Sequence, residues 1–280
     1  MIEPRETAAG GAPVIVVGPT TRCGTSLLQR ALNSTRKIVI YGENFTFMHK
    51  YPDMIRGLDN HIEGKRRNIK ASRDMLLSGA DFEGSSLFPD YDNYIASIRQ
   101  GFGNIARLYR TDAASLGFQR WGIKHQIRDQ RSFEIVPQLM PRAQFIFIFR
   151  ELLAVAKSAK ARWPGDFKGP DDYRRFGDNW ARNTRLAHSL ASDRFMVIRY
   201  EEFIANPDPI FQKIEALTGV PGIDRSVMTR RINANPLTDR DAKSSDDYRK
   251  PGELSTVEID LLMNDARETY TKLRYERSAS

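Results

Sequence analysis

The 280-residue chain reads as a single-domain α/β protein, a central parallel β-sheet flanked by helices. Three observations predict this. The runs Val14-Ile15-Val16-Val17 and Phe145-Ile146-Phe147-Ile148-Phe149 are apolar on both faces, as strands covered by helices on each side must be. Helical patterns alternate with such runs along the chain, the order of βα units. The runs end in glycine, hydroxyl or charged residues, and in open parallel sheets ligands sit at the carboxyl ends of strands. With 40% apolar residues the chain can bury one full core. Residues 12–275 are expected to form that domain, and residues 1–11 a disordered N-terminus.

The first strand stops at Gly18-Pro19, and the loop Thr20-Thr21-Arg22-Cys23-Gly24-Thr25-Ser26 leads into a helix with Leu27, Leu28 and Leu32 on one face. Strand, loop and helix in this order aim the helix's first unbonded N–H groups at one point, where an anion can be held. The loop departs from the nucleotide-triphosphate pattern: five residues separate Gly18 from Gly24, and Thr25 stands where that pattern has lysine. Cys23 with Arg30 forms C-x6-R, one residue longer than the cysteine-phosphatase loop.

A second strand, 37–41, runs into Gly42-Glu43-Asn44, which places Glu43 at the carboxyl end of a strand expected beside the phosphate loop. A carboxylate there can take the proton of an attacking hydroxyl, or it can cap a helix beginning near Phe45. Residues 45–119 read as mostly helical and irregular, an insertion over the ligand edge that would face the acceptor. Its clearest helix is 91–110, with Tyr94, Ile95, Ile98, Phe102, Ile105 and Leu108 as a stripe expected in the core.

The next strand, from Arg120, is closed by Lys124, which can neutralise charge on a leaving oxygen or stand as a plain surface lysine. The strand 143–150 ends in Arg150, where a nucleotide-hydrolysing enzyme of this class would place a magnesium-binding aspartate. Ser158 and Arg162 lie four apart on the following helix and share a face, so with Arg150 they can grip a phosphate. A long helix over 170–192 turns Trp180, Leu186 and Leu190 inward. A strand over 194–203 carries Tyr200, which either meets a ligand or packs on the rim. A helix follows between Pro207 and Gly219, and a last one begins at Ser255 with Glu258 completing a capping box.

The net charge of +8 calls for an anionic partner. The cluster Lys65, Arg66, Arg67, Lys70 and Arg73 reads equally as a solvated helix face, and no nucleic-acid motif accompanies it, so nucleic acid is not expected. The longest apolar run is far too short to span a bilayer and none has signal-peptide form, so a cytoplasmic protein is expected. Cys23 is the single cysteine and the four histidines are not spaced with carboxylates, so no metal is expected.

The loop Arg22-Cys23-Gly24-Thr25-Ser26 closely resembles the Arg-Ser-Gly-Thr-Thr loop with which sulfotransferases hold the 5′-phosphosulfate of 3′-phosphoadenosine 5′-phosphosulfate (PAPS). Arginine, seven residues, serine, three residues, arginine, at Arg150, Ser158 and Arg162, is similar to that family's 3′-phosphate site. Tyr200 with the glutamates after it resembles the family's Tyr-Glu-Asp segment, whose tyrosine contacts the adenine. Gly42-Glu43, and Ser244 with Lys250-Pro251, resemble segments of the tyrosylprotein sulfotransferases, in which the glutamate is the base, the serine reaches the phosphosulfate and the lysine binds the donor phosphates. The resemblance implies a P-loop-like sulfotransferase fold, no metal, and Glu43, Arg22, Lys124 and Ser244 as the catalytic set. It implies donor binding by Arg22, Cys23, Gly24, Thr25, Ser26, Arg150, Ser158, Arg162, Tyr200 and Lys250. The acceptor would be a hydroxyl of a carbohydrate, lipid, secondary metabolite or peptide tyrosine, an acidic one suiting the positive chain. Two other classes stay open. A nucleotide kinase should show the loop lysine and a magnesium carboxylate, and a non-catalytic nucleotide-binding module would need no base at Glu43.

Overall fold

A computed structural model describes residues 11–43, 51, 53–58, 60, 66–79, 89–126, 133, 140–229, 252–273 and 275. The expectations for residues 1–10, for a helix start near Phe45, and for Ser244 and Lys250 lie outside them. Five strands form the sheet: β1 (Val14–Gly18), β2 (Ile38–Tyr41), β3 (Arg120–Gln126), β4 (Gln144–Phe149) and β5 (Phe195–Arg199). They lie in the order β2-β3-β1-β4-β5, and every pairing is parallel. β2 is therefore an edge strand two places from β1, not its neighbour as the sequence suggested. The hydrophobic pattern states which runs are strands but not the order in which they pair, and the long segment between β2 and β3 lets β3 insert.

Alternation along the strands divides the core. Ile15, Val17, Ile123, Phe145 and Phe147 face one layer, with Trp121, Phe133 and α3 (Tyr91–Ser115). Val14, Val16, Ile146, Ile148 and Ile198 face the other, against Leu27, Leu28 and Leu32 of α1 (Thr25–Ser34) and Phe211 and Ile214 of α7 (Pro207–Thr218). Both faces are thus covered, which is why the central strands β1 and β4 carry apolar residues on both faces. A third apolar cluster joins α4 (Leu152–Arg162) and α5 (Pro170–Ser189) to α8 (Thr256–Met263) and α9 (Arg267–Lys272). Gly177 makes the α5–α8 contact possible: a Cβ there would lie 2.0 Å from the Leu262 carbonyl oxygen. The capping box at Ser255 and Glu258 is present, and Gly219 ends α7 in the left-handed conformation at φ 65°.

Three local expectations are corrected. The strand carrying Tyr200 stops at Arg199, and Tyr200–Ala205 is a short helix, α6. Glu201 and Glu202 fall in its first turn, where the helix dipole favours acids. Tyr94 (37% exposed) and Leu108 (65%) are not core, because α3 turns Ile95, Ala106 and Ala113 inward instead. Leu190 is the exposed C-cap of α5. In the basic cluster, Arg67, Lys70 and Arg73 are exposed on α2 (Arg66–Ser78), with Arg73 3.7 Å from Asp90.

At the amino edge of the sheet, Arg120 donates to the carbonyls of Ala12 and Thr218 and to Gln144. This arginine is a structural pin, and its burial lowers its pKa. The carboxyl edge is built differently.

Candidate active site

The loop after β1 is shaped by its backbone. Pro19 is tied to α5 through its carbonyl, which accepts from Asn183 Nδ2 at 2.9 Å. Arg22 sits at φ 66°, a left-handed conformation rare for a side-chain-bearing residue and a sign of strain held by its surroundings. Those surroundings are Ser158, whose Oγ accepts from Arg22 Nε at 3.0 Å, and Trp163, whose ring centroid lies 5.9 Å from the guanidinium. Gly24 follows at φ 107°, and a Cβ there would meet the Tyr200 ring at 2.6 Å. Only glycine satisfies both the dihedral and the close approach. Gly24 is also the N-cap of α1, which has no side-chain cap and no acid in its first turn. The positive end of the helix thus opens on the loop.

Cys23 is fully buried inside this loop, with its Sγ 3.5 Å from Thr20 Oγ1. Burial pushes the thiol pKa up, offset in part by the Thr20 hydrogen bonds, so the group is a neutral packing element rather than a phosphatase-like thiolate.

On the other side of α1's first turn, Ser26 Oγ accepts from Lys124 Nζ at 3.2 Å, and Lys124 is 3.1 Å from Glu43 Oε1. Lys124 lies within β3 opposite Val16 of β1, two residues before the strand ends, so it does not close the strand as expected. This position lets it span from β1's loop to β2's end. Glu43 reaches the site through Lys124 even though β2 is not next to β1. Lys124 is 14% exposed and Glu43 44%, so the carboxylate faces outward from the pair.

The third corner is the end of β4. Trp180 donates its indole N–H to the Arg150 carbonyl at 2.8 Å, fixing the backbone, and the Arg150 guanidinium stacks 4.8 Å from the Tyr200 ring centroid. Ser158 is on the next helix, joined to Arg22, and Arg162 is exposed at that helix's last position. The structure therefore brings Arg22, Cys23, Gly24, Ser26, Lys124, Glu43, Arg150, Ser158 and Tyr200 into one contiguous set. Thr25 opens α1 inside it, and Arg162 lies one turn beyond Ser158.

Asn183, Trp180 and Trp163 take part without having been singled out from sequence as site residues. Asn183, fully buried on an otherwise core-facing helix side, carried a signal, since a buried amide needs a polar partner. Trp163 carried none.

A donor bearing two phosphates fits this set on its geometry: a glycine cradle against an aromatic ring, an uncapped helix start, and Arg22, Lys124 and Arg150 around them. Among the described residues no group of three or more His, Cys, Asp or Glu is placed to hold a metal, and no helix is long and apolar enough to cross a membrane.

The chain matches known proteins as follows. A family model described as the sulfotransferase family matches residues 13–224. Among solved structures, the sulfotransferase domain from the curacin biosynthetic pathway is similar, with 12% identity and a TM-score of 0.50, over 95% of this chain and 98% of that one. The sulfotransferase domain from the Synechococcus PCC 7002 olefin synthase has 17% identity and a TM-score of 0.48, over 91% and 95%. Sulfotransferase STF1 from Mycobacterium tuberculosis H37Rv has 15% identity and a TM-score of 0.46, over 92% and 77%. No curated protein sequence matches the chain significantly. The family model covers well over half of the chain, and the chain belongs to the sulfotransferase family.

Proposed function

We propose that the protein moves the sulfuryl group of PAPS to an acceptor hydroxyl, with Glu43 as the base. The observation that carries this reading is the chain Glu43–Lys124–Ser26, a carboxylate linked by 3.1 and 3.2 Å contacts to the first turn of the phosphate-loop helix. When bound, PAPS supplies an activated sulfuryl group on a phosphate leaving group. The Gly24 cradle and the start of α1 would hold its 5′ end, Arg150, Ser158 and Arg162 its 3′-phosphate, and Tyr200 its base.

The chemistry left to the protein is small. Glu43 accepts the acceptor's proton at Oε1 or Oε2, and Lys124, 3.1 Å from Oε1, ties that carboxylate to the first turn of the loop helix and would put positive charge where the leaving oxygen gains electrons. Arg22 adds a second cation at the loop. A sulfuryl group carries less charge than a phosphoryl group, so fixed cations can do here what magnesium does in kinases. Ser244 and Lys250, outside the described residues, would complete the donor site as in the tyrosylprotein enzymes. The acceptor is proposed as a hydroxyl of a carbohydrate, lipid, secondary metabolite or peptide tyrosine.

Glu43→Gln tests the assignment. Transfer from PAPS across a panel of these acceptors should fall about 100-fold or more. Binding of the product 3′-phosphoadenosine 5′-phosphate should stay within about twofold, since the base is not a donor ligand. Undiminished transfer would remove Glu43 from the mechanism.

A further inference from the structure

Arg150 and Tyr200, at the ends of neighbouring strands, are each followed by a glutamate, and the two glutamates are joined. Glu151 caps α4, its Oε1 accepting from the Leu153 N–H at 3.0 Å and its Oε2 from the Ala154 N–H. Its own N–H donates to Glu201 Oε1 at 2.9 Å, which locks the turn after β4 to the turn after β5. Each carboxylate also accepts a phenol from the chain's last described stretch. Tyr270 donates to Glu151 Oε1 at 2.5 Å, and Tyr275 donates to Glu201 Oε2 at 2.9 Å. Arg199 stacks 4.1 Å from the Tyr275 ring centroid and lies 3.7 Å from Glu201 Oε2.

Two carboxylates beside Arg150 ought to compete for its guanidinium. Among the described residues Arg150 pairs with neither, but stacks on Tyr200, which in turn rests on Gly24. The tyrosines and backbone N–H groups occupy the carboxylate oxygens instead. We propose that Tyr270 and Tyr275 are positioning residues for the donor site: through Glu151 and Glu201 they hold both carboxylates off Arg150 and fix it against Tyr200, ready for the 3′-phosphate. Tyr270 and Tyr275 lie beyond the 13–224 span of the family model. The inference rests on the donor reading above.

The test is calorimetric titration of the full chain with 3′-phosphoadenosine 5′-phosphate and with adenosine 5′-phosphate, which lacks the group Arg150 would meet. Tyr270→Phe/Tyr275→Phe keeps both rings and removes both hydroxyls. It should weaken binding of the 3′-phosphorylated ligand about tenfold, equivalent to about 1.4 kcal/mol, and that of adenosine 5′-phosphate no more than about threefold. The preference for the 3′-phosphate should therefore drop. A merely structural pair of tyrosines would lower the melting temperature and leave the ratio of the two affinities unchanged, and that result overturns the proposal. If the double variant does not fold, Tyr275→Phe alone, whose ring stays edge-on to Phe149 at 6.4 Å, is read by the same ratio. A wild-type protein without preference for the 3′-phosphate overturns the donor reading itself, whereas a preference untouched by either variant overturns only this inference.

Discussion

Among the described residues, the two halves of the sheet's carboxyl edge are joined differently. Around β1, β4 and β5 the turns are cross-linked: Arg22 to Ser158, Pro19 to Asn183, Arg150 to Trp180 and Tyr200, Glu151 to Glu201. Around β2 and β3, among the described residues, Lys124 joins Glu43 and Ser26 and Tyr41 donates to Asp112, while Leu77 on α2 is 84% and Leu108 on α3 65% exposed. The first half resembles a site organised in advance for one ligand of fixed shape, since rigid donors lower the ordering cost of binding. In the second half the described contacts centre on the Glu43–Lys124 pair, the proposed base and its partner.

The largest effect expected at the seam between the halves is that of Lys124→Met. Removing the ammonium that bridges Glu43 and Ser26 should cut transfer about 100- to 1000-fold, with donor affinity falling less than tenfold, measured as single-turnover rate beside calorimetry. Equal losses in both would make Lys124 a donor ligand and blur the division between the halves.

Stability should divide in the same way. Leu28→Ala, at a fully buried site on α1 beneath the phosphate loop, should cost about 2–5 kcal/mol in denaturant unfolding. Leu108→Ala, on α3, should stay within about 0.5 kcal/mol. A comparable cost at Leu108 would mean that α3 is packed more tightly than its exposure indicates.

The smallest effect is electrostatic. Glu258 of α8 pairs with Lys160 of α4 at 2.7 Å, accepts from Tyr173, and also accepts from the Ser255 N–H at 2.9 Å. Lys160 first, then Tyr173, hold its carboxyl pKa down to about 2, below its ordinary value of 4.5. A depressed acid stabilises the fold above its ordinary value, and that contribution fades as pH falls from about 4.5 toward 2. The melting temperature of wild type should exceed that of Glu258→Gln by about 2–4 °C at pH 6, with the gap closing in that acid window. A gap independent of pH would show that the carboxylate's charge is not what joins α8 to α4.

The layout of the half around β1, β4 and β5 was legible in the sequence because its signals are local. Gly24 must be glycine, Arg22 precedes it, and Ser158 and Arg162 are fixed by helical spacing from Arg150, so short motifs carried the geometry. Strand order was not legible: Glu43 looked adjacent to the loop, and it reaches the site only because Lys124 of β3 spans the gap. The cross-links were hidden for the same reason, since Arg22 and Ser158 are 136 residues apart and Tyr270 and Glu151 119 apart. The helix stripe on α3 misled because periodicity marks an apolar face without saying how much of it is covered, and only Ile95, Ala106 and Ala113 are buried there.

The most direct measurement is calorimetric titration of the protein with 3′-phosphoadenosine 5′-phosphate, beside ATP and ADP, without magnesium. Binding should be micromolar, require the 3′-phosphate and weaken at least tenfold in Arg150→Ala or Ser158→Ala, on the order of a lost charge-assisted hydrogen bond. Equal or tighter binding of ATP, unaffected by those substitutions, would contradict it and point to a kinase-like use of the same loop.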